Sequence, residues 1–107
     1  MAEAGLILYR AVSADPPLAA DFASNKAKGK PRRAIEGEDA WSGISVYDTE
    51  QRCRSKAAMF GLGTFVAEMR IPEGAQIRCG EIGRSGHCTL WGEPEEFLPY
   101  VTRVVPV

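Results

Sequence analysis

A chain of 107 residues, 45% apolar and 25% charged, has the size and composition of one globular domain, which argues against a disordered or fibrous protein. Its formal charge of -1 argues against general nucleic-acid binding, which needs a large basic excess. No apolar run approaches the roughly 20 residues of a membrane span. Met1-Ala2-Glu3-Ala4 starts acidic where a secretory signal starts basic, so the expectation is a cytoplasmic protein with no membrane partner.

The first element is a short apolar run, Leu6-Ile7-Leu8-Tyr9-Arg10-Ala11-Val12, bounded by Ser13 and Asp15-Pro16-Pro17, which suits a buried strand. Arg10 is its anomaly, because a guanidinium among apolar neighbours must find a partner or open onto a cleft. Pro17 to Phe22 suits a brief helix, with prolines where a missing N–H costs little. Residues 24 to 42 read as a polar surface loop, basic from Lys26 to Arg33 and then acidic at Glu36-Gly37-Glu38-Asp39, with Trp41 placed to cover a pocket or face a partner.

Gly43 to Thr49 carries the β-branched and aromatic residues of a strand, and Asp48 with Gln51 forms a capping box for a helix from about Thr49 to Phe60. Cys53, Ala57 and Phe60 fall on its buried face, and Gly61 stops it. Phe65 to Ile71 alternates as a half-buried strand and turns at Pro72-Glu73-Gly74. Ala75 to Cys79 is a further strand candidate. After a glycine-punctuated loop, His87 to Trp91 forms another, with Trp91 packing in the core. Glu93 to Leu98 makes a turn and one helical turn with acidic residues near its start, and Tyr100 to Pro106 supplies the last strand. The expected fold is a single α+β domain, residues 1–107, with a mixed or antiparallel sheet of five or six strands, one main helix and one or two short ones.

Three cysteines, Cys53, Cys79 and Cys88, match neither a zinc pair nor a disulfide framework and are read as reduced, mostly buried thiols. With a single histidine in the chain, no metal is expected. The densest chemistry is Gly86-His87-Cys88-Thr89-Leu90-Trp91-Gly92, which offers a titratable ring, a hydroxyl and an indole. Neither Gly-x-Ser-x-Gly nor a recognisable Cys-His spacing is present, and His87 and Cys88, adjacent on a strand, point to opposite faces.

A first strand ending in Leu-Tyr-Arg, a polar loop, and a Gly-Ile-Ser-Val-Tyr strand feeding a helix, with several strands after it, resemble the ADP-ribosyltransferase-like fold, including small bacterial RES-type and phosphotransferase-type toxins. The resemblance implies a nucleotide-binding protein acting on NAD or on an ADP-ribosylated or phosphorylated substrate, with NAD as substrate and no tightly bound cofactor. It would make Arg10 the anchor of the nucleotide, Ser45 the hydroxyl supporting the nicotinamide ribose and Tyr47 a stacking ring. His87 and Glu95 are its candidates for the catalytic role, and Thr89 for a contact to the nucleotide phosphates. Glu93-Pro94-Glu95 departs from the family's Glu-x-Glu motif, which leaves open a member that keeps the fold without the chemistry.

In that chemistry, cleavage of a nicotinamide glycosidic bond builds positive charge on the ribose, so a carboxylate would stabilise it while Arg10 holds the pyrophosphate. The basic loop could add phosphate contacts. The competing class is a non-enzymatic protein-interaction module, regulatory or toxin-neutralising, using the charged loop and Trp41. The two classes differ in whether Arg10, Ser45 and His87 or Glu95 share one concave site.

Overall fold

In the computed structural model the described residues are 5–32, 37–80, 82–84 and 86–107. Six antiparallel strands form one sheet in the order β4-β5-β2-β1-β3-β6. They are β1 (Leu6–Val12), β2 (Ile44–Tyr47), β3 (Phe65–Ile71), β4 (Arg78–Cys79), β5 (His87–Trp91) and β6 (Val101–Pro106). Helices are α1 (Glu38–Ser42), α2 (Glu50–Phe60) and α3 (Pro94–Phe97), with single 3₁₀ turns at Ala19–Phe22 and Leu98–Tyr100. This is the α+β class expected. The differences lie in short elements: α1 falls inside the stretch read as a loop, and β4 is shorter than Ala75 to Cys79. The part of that loop from Arg33 to Glu36 lies outside the described residues.

Alternation along the strands divides the core in two. One face buries Leu8 and Val12 of β1, Ile44 and Val46 of β2, Ala67, Met69 and Ile71 of β3, and Cys88 and Leu90 of β5. Phe22 and Phe97 cover that face, with ring centroids 5.7 Å apart. On the other face α2 lays Cys53 over Tyr47 and Val66, flanked by Tyr9, Ala11 and Val105.

The cap of α2 is displaced by one residue from the sequence reading. Thr49, not Asp48, is the N-cap, its hydroxyl accepting from the Arg52 N–H, while Asp48 pairs with the Arg52 guanidinium at 3.1 Å. Gly61 closes the helix in the left-handed conformation at φ 61°, as a C-terminal glycine does. Phe60 does not join the buried face. As the last helical residue it is exposed, with the Lys56 ammonium 5.5 Å from its ring.

Both indoles do structural work. Trp41 Nε1 donates to the Lys30 carbonyl at 2.8 Å, and its own carbonyl accepts from the Lys26 N–H, so the ring pins the basic loop against α1. Trp91 is half-buried rather than in the core. It lies on the His87 and Thr89 face of β5, under the Arg78 guanidinium at 3.9 Å.

Candidate functional site

The site begins at a defect in the sheet. Strand β1 pairs with β3 over its full length but with β2 at a single position, Tyr9 opposite Tyr47. Continued antiparallel pairing would set Ala11 opposite Ser45; there the ladder stops, and a cleft of about 640 Å3 opens along the seam. Gly43, which lines it just before β2, has no room for a Cβ, which would lie 2.8 Å from Trp91 Nε1 and 2.9 Å from the Leu90 carbonyl. A side chain there would push β2 away from β5.

Strand parity explains how Arg10 and Ser45 reach one cleft. Tyr9 and Tyr47 are directly paired and share a face with Ser45, whereas Arg10 belongs with Leu8 and Val12 on the opposite face. Through the opened seam, Arg10 Nη1 donates to the Ser45 carbonyl and Nε to the Asp21 carbonyl, both at 2.7 Å. The guanidinium thus supplies the donor that the interrupted ladder lacks and ties β2 to the 3₁₀ turn. Burial pushes its pKa below the ordinary value, against the opposing charge of Asp21. The Asp21 carboxylate is itself occupied, accepting from the Ser13 N–H and hydroxyl and from the Leu18 N–H.

Arg10, Ser45 and Tyr47 line the cleft together with Asn25 and Lys28 of the basic loop. Burial, then the charges of Lys30 and Arg10, lower the Lys28 pKa, so two cations serve one concavity. Among the described residues lining it there is no carboxylate. Tyr47 has its phenol pushed up, first by burial and then by Cys53. The mouth is apolar, formed in part by Phe60 and Leu62.

His87 and Thr89 are not among the residues lining the cleft, and His87 meets it only through Ser45. Strand β5 sets His87 opposite Tyr47 and Thr89 opposite Ser45, so all four side chains share a face. The His87 ring lies edge-on to Tyr47 at 5.6 Å between centroids, and its Nε2 is 3.0 Å from Ser45 Oγ. Burial, then the charge of Lys56, hold the imidazole below its ordinary value, which favours the neutral ring.

Comparison of the chain with protein-family models, curated proteins and solved structures gives no match. The site therefore has to be read from its own geometry. Glu95 lies exposed on α3 and is not among the residues lining the cleft. That helix instead buries Phe97 and closes its own N-terminus, where the Glu96 carboxylate accepts from the Glu93 N–H at 2.7 Å. Lys28 and Asn25 were legible only as part of a basic loop, and the apolar mouth was hidden because Phe60 has helical spacing for the core. The cysteine thiols stand apart from this chemistry: burial pushes Cys53 up to about 11 and raises Cys79 and Cys88 as well. Among the described residues no cluster of histidine, cysteine and carboxylate side chains could hold a metal ion, and no helix is long and apolar enough to cross a membrane.

Proposed function

We propose that the seam cleft binds a nucleotide-like phosphorylated molecule, the reading carried by Arg10 and Lys28 lining one cleft without a carboxylate among its described lining residues. Its size lies within the roughly 300–1,000 Å3 of small-molecule sites. Lys28 and the N–H groups of Arg10 not used on carbonyls supply charge-assisted donors to phosphate oxygens, and the exposed Phe60 and Leu62 at the mouth offer an apolar surface for a base or nicotinamide ring. The resemblance to ADP-ribosyltransferase-like proteins makes NAD or an ADP-ribosyl group the specific ligand of this reading, and a cytoplasmic transferase the corresponding enzyme. The lining favours grip on phosphate over stabilisation of a ribosyl cation, since Glu95 does not line the cleft.

Thermal shift with NAD, ADP-ribose, AMP and nicotinamide tests this, because a ligand that binds only the folded state raises Tm with occupancy. Lys28→Ala is the informative variant, since Lys28 holds no strands together, whereas Arg10 does. The phosphorylated ligands should raise Tm and nicotinamide should not, with the rise reduced in Lys28→Ala. No rise with any phosphorylated ligand would defeat the reading. One observation favours a second reading, a protein-interaction module: Met59 and Phe60 at the end of α2 and Leu62 just beyond it are 67%, 62% and 50% exposed.

A further inference from the structure

We infer that Ser45 is a nucleophile whose proton is taken by His87, giving the cleft a covalent step on phosphate esters. Three observations carry this. Ser45 Oγ and His87 Nε2 are 3.0 Å apart, the separation of a nucleophile and its base. Ser45 is exposed and lines the cleft, so a substrate can reach its hydroxyl. The two residues are held from adjacent strands by the β2–β5 register, with Tyr47 against the ring, so the pair is fixed by the sheet and not by a loop. The sequence concealed it because 42 positions separate the partners and no serine-hydrolase motif surrounds either one.

With the ring proton on Nδ1, the Ser45 O–H donates to Nε2. As Oγ attacks phosphorus, the Oγ–P bond forms and the ester P–O bond breaks. The hydroxyl proton passes to Nε2 and from there to the departing oxygen. Water then reverses the sequence: its oxygen bonds to phosphorus, the Oγ–P bond breaks, and its proton returns through Nε2 to Ser45. The choice of a phosphate ester rests on the proposed anion-binding cleft, in which Arg10 and Lys28 oppose the charge that accumulates on the phosphoryl oxygens.

Diisopropyl fluorophosphate tests the pair independently of the cleft's ligand, since this neutral reagent reports only on the nucleophile. Its reaction forms the Oγ–P bond, breaks P–F, moves the hydroxyl proton to Nε2 and releases fluoride. Intact-mass and peptide-mapping analysis should locate one adduct on Ser45, with exposed Ser55 of the same chain modified at least about a hundredfold more slowly, the lower bound of general-base assistance. His87→Gln, verified as folded by circular dichroism, should slow Ser45 modification by a similar factor. Modification of Ser45 no faster than Ser55, or an undiminished rate in folded His87→Gln, would overturn the inference. The comparison of the two serines within the wild-type chain decides the matter even where the variant does not fold. Selective Ser45 modification without any nucleotide-induced Tm rise would retain the nucleophile and reject the phosphate-binding reading.

Discussion

Arg10→Met isolates the bridging role of the guanidinium, because methionine keeps an apolar stem of similar reach and removes every donor. Two carbonyls then lose their partner, that of Asp21 in a partly buried setting and that of Ser45 at the exposed seam. A hydrogen bond from a charged donor contributes about 1.5–3 kcal/mol. Water can replace the bond at Ser45, so the loss there is small. Relief of the buried charge offsets part of the loss at Asp21. The net destabilisation is about 2 kcal/mol, which corresponds to a Tm fall of roughly 8–16 °C for a domain near this size. Arg10→Lys should fall between wild type and Arg10→Met, since one ammonium on a shorter, unforked head cannot reproduce the two divergent bonds. Urea unfolding followed by circular dichroism measures all three proteins. A change below about 0.5 kcal/mol in Arg10→Met, the size typical of surface substitutions, would refute the claim that this side chain ties β2 to the 3₁₀ turn.

Phe97→Ala should cost about 3–5 kcal/mol in the same assay, because the ring is fully buried and stacked on Phe22 over the larger core. Gly61→Val places a β-branched residue at φ 61° and should lower stability by about 1–2 kcal/mol, with a shorter α2 detectable by amide hydrogen exchange at Phe60 and Leu62. His87 gives stability an acid dependence. Its folded value lies below the ordinary 6.5, so the unfolded chain binds more protons over the interval between them. Its contribution is complete above the unfolded value and declines as pH falls toward the folded one. The urea midpoint should therefore drop as pH falls through and below the ordinary 6.5. That drop should shrink in His87→Gln, and an equal drop in the two proteins would assign the acid sensitivity to other groups.

Local signals made most of the elements readable. The alternation from Ala67 to Ile71 and the glycine stop at Gly61 each carry one dominant preference and form as expected, whereas the apolar run from Leu6 to Val12 forms its strand but buries only Leu8 and Val12, leaving Leu6 and Ile7 exposed. The misreadings sit where two preferences compete. Phe60 has the spacing of a core residue, yet at the end of α2 it faces the cleft mouth. Asp48 and Thr49 are both good caps, and Asp48 is drawn to Arg52 while Thr49 takes the capping position. The anomaly of Arg10 was visible in sequence, but its resolution depends on an interruption between β1 and β2 that no local pattern encodes. The same holds for Ser45 and His87, whose meeting is a product of strand register.

The central claim, that the opened seam is a phosphate-binding site, is tested most directly by an amide chemical-shift titration of the wild-type chain with ADP-ribose. The account predicts saturable shifts concentrated at Ala11, Asn25, Lys28, Ser45 and Tyr47, the residues along the cleft. Shifts absent at saturating ligand, or confined to residues remote from the seam such as those of β6, would contradict it.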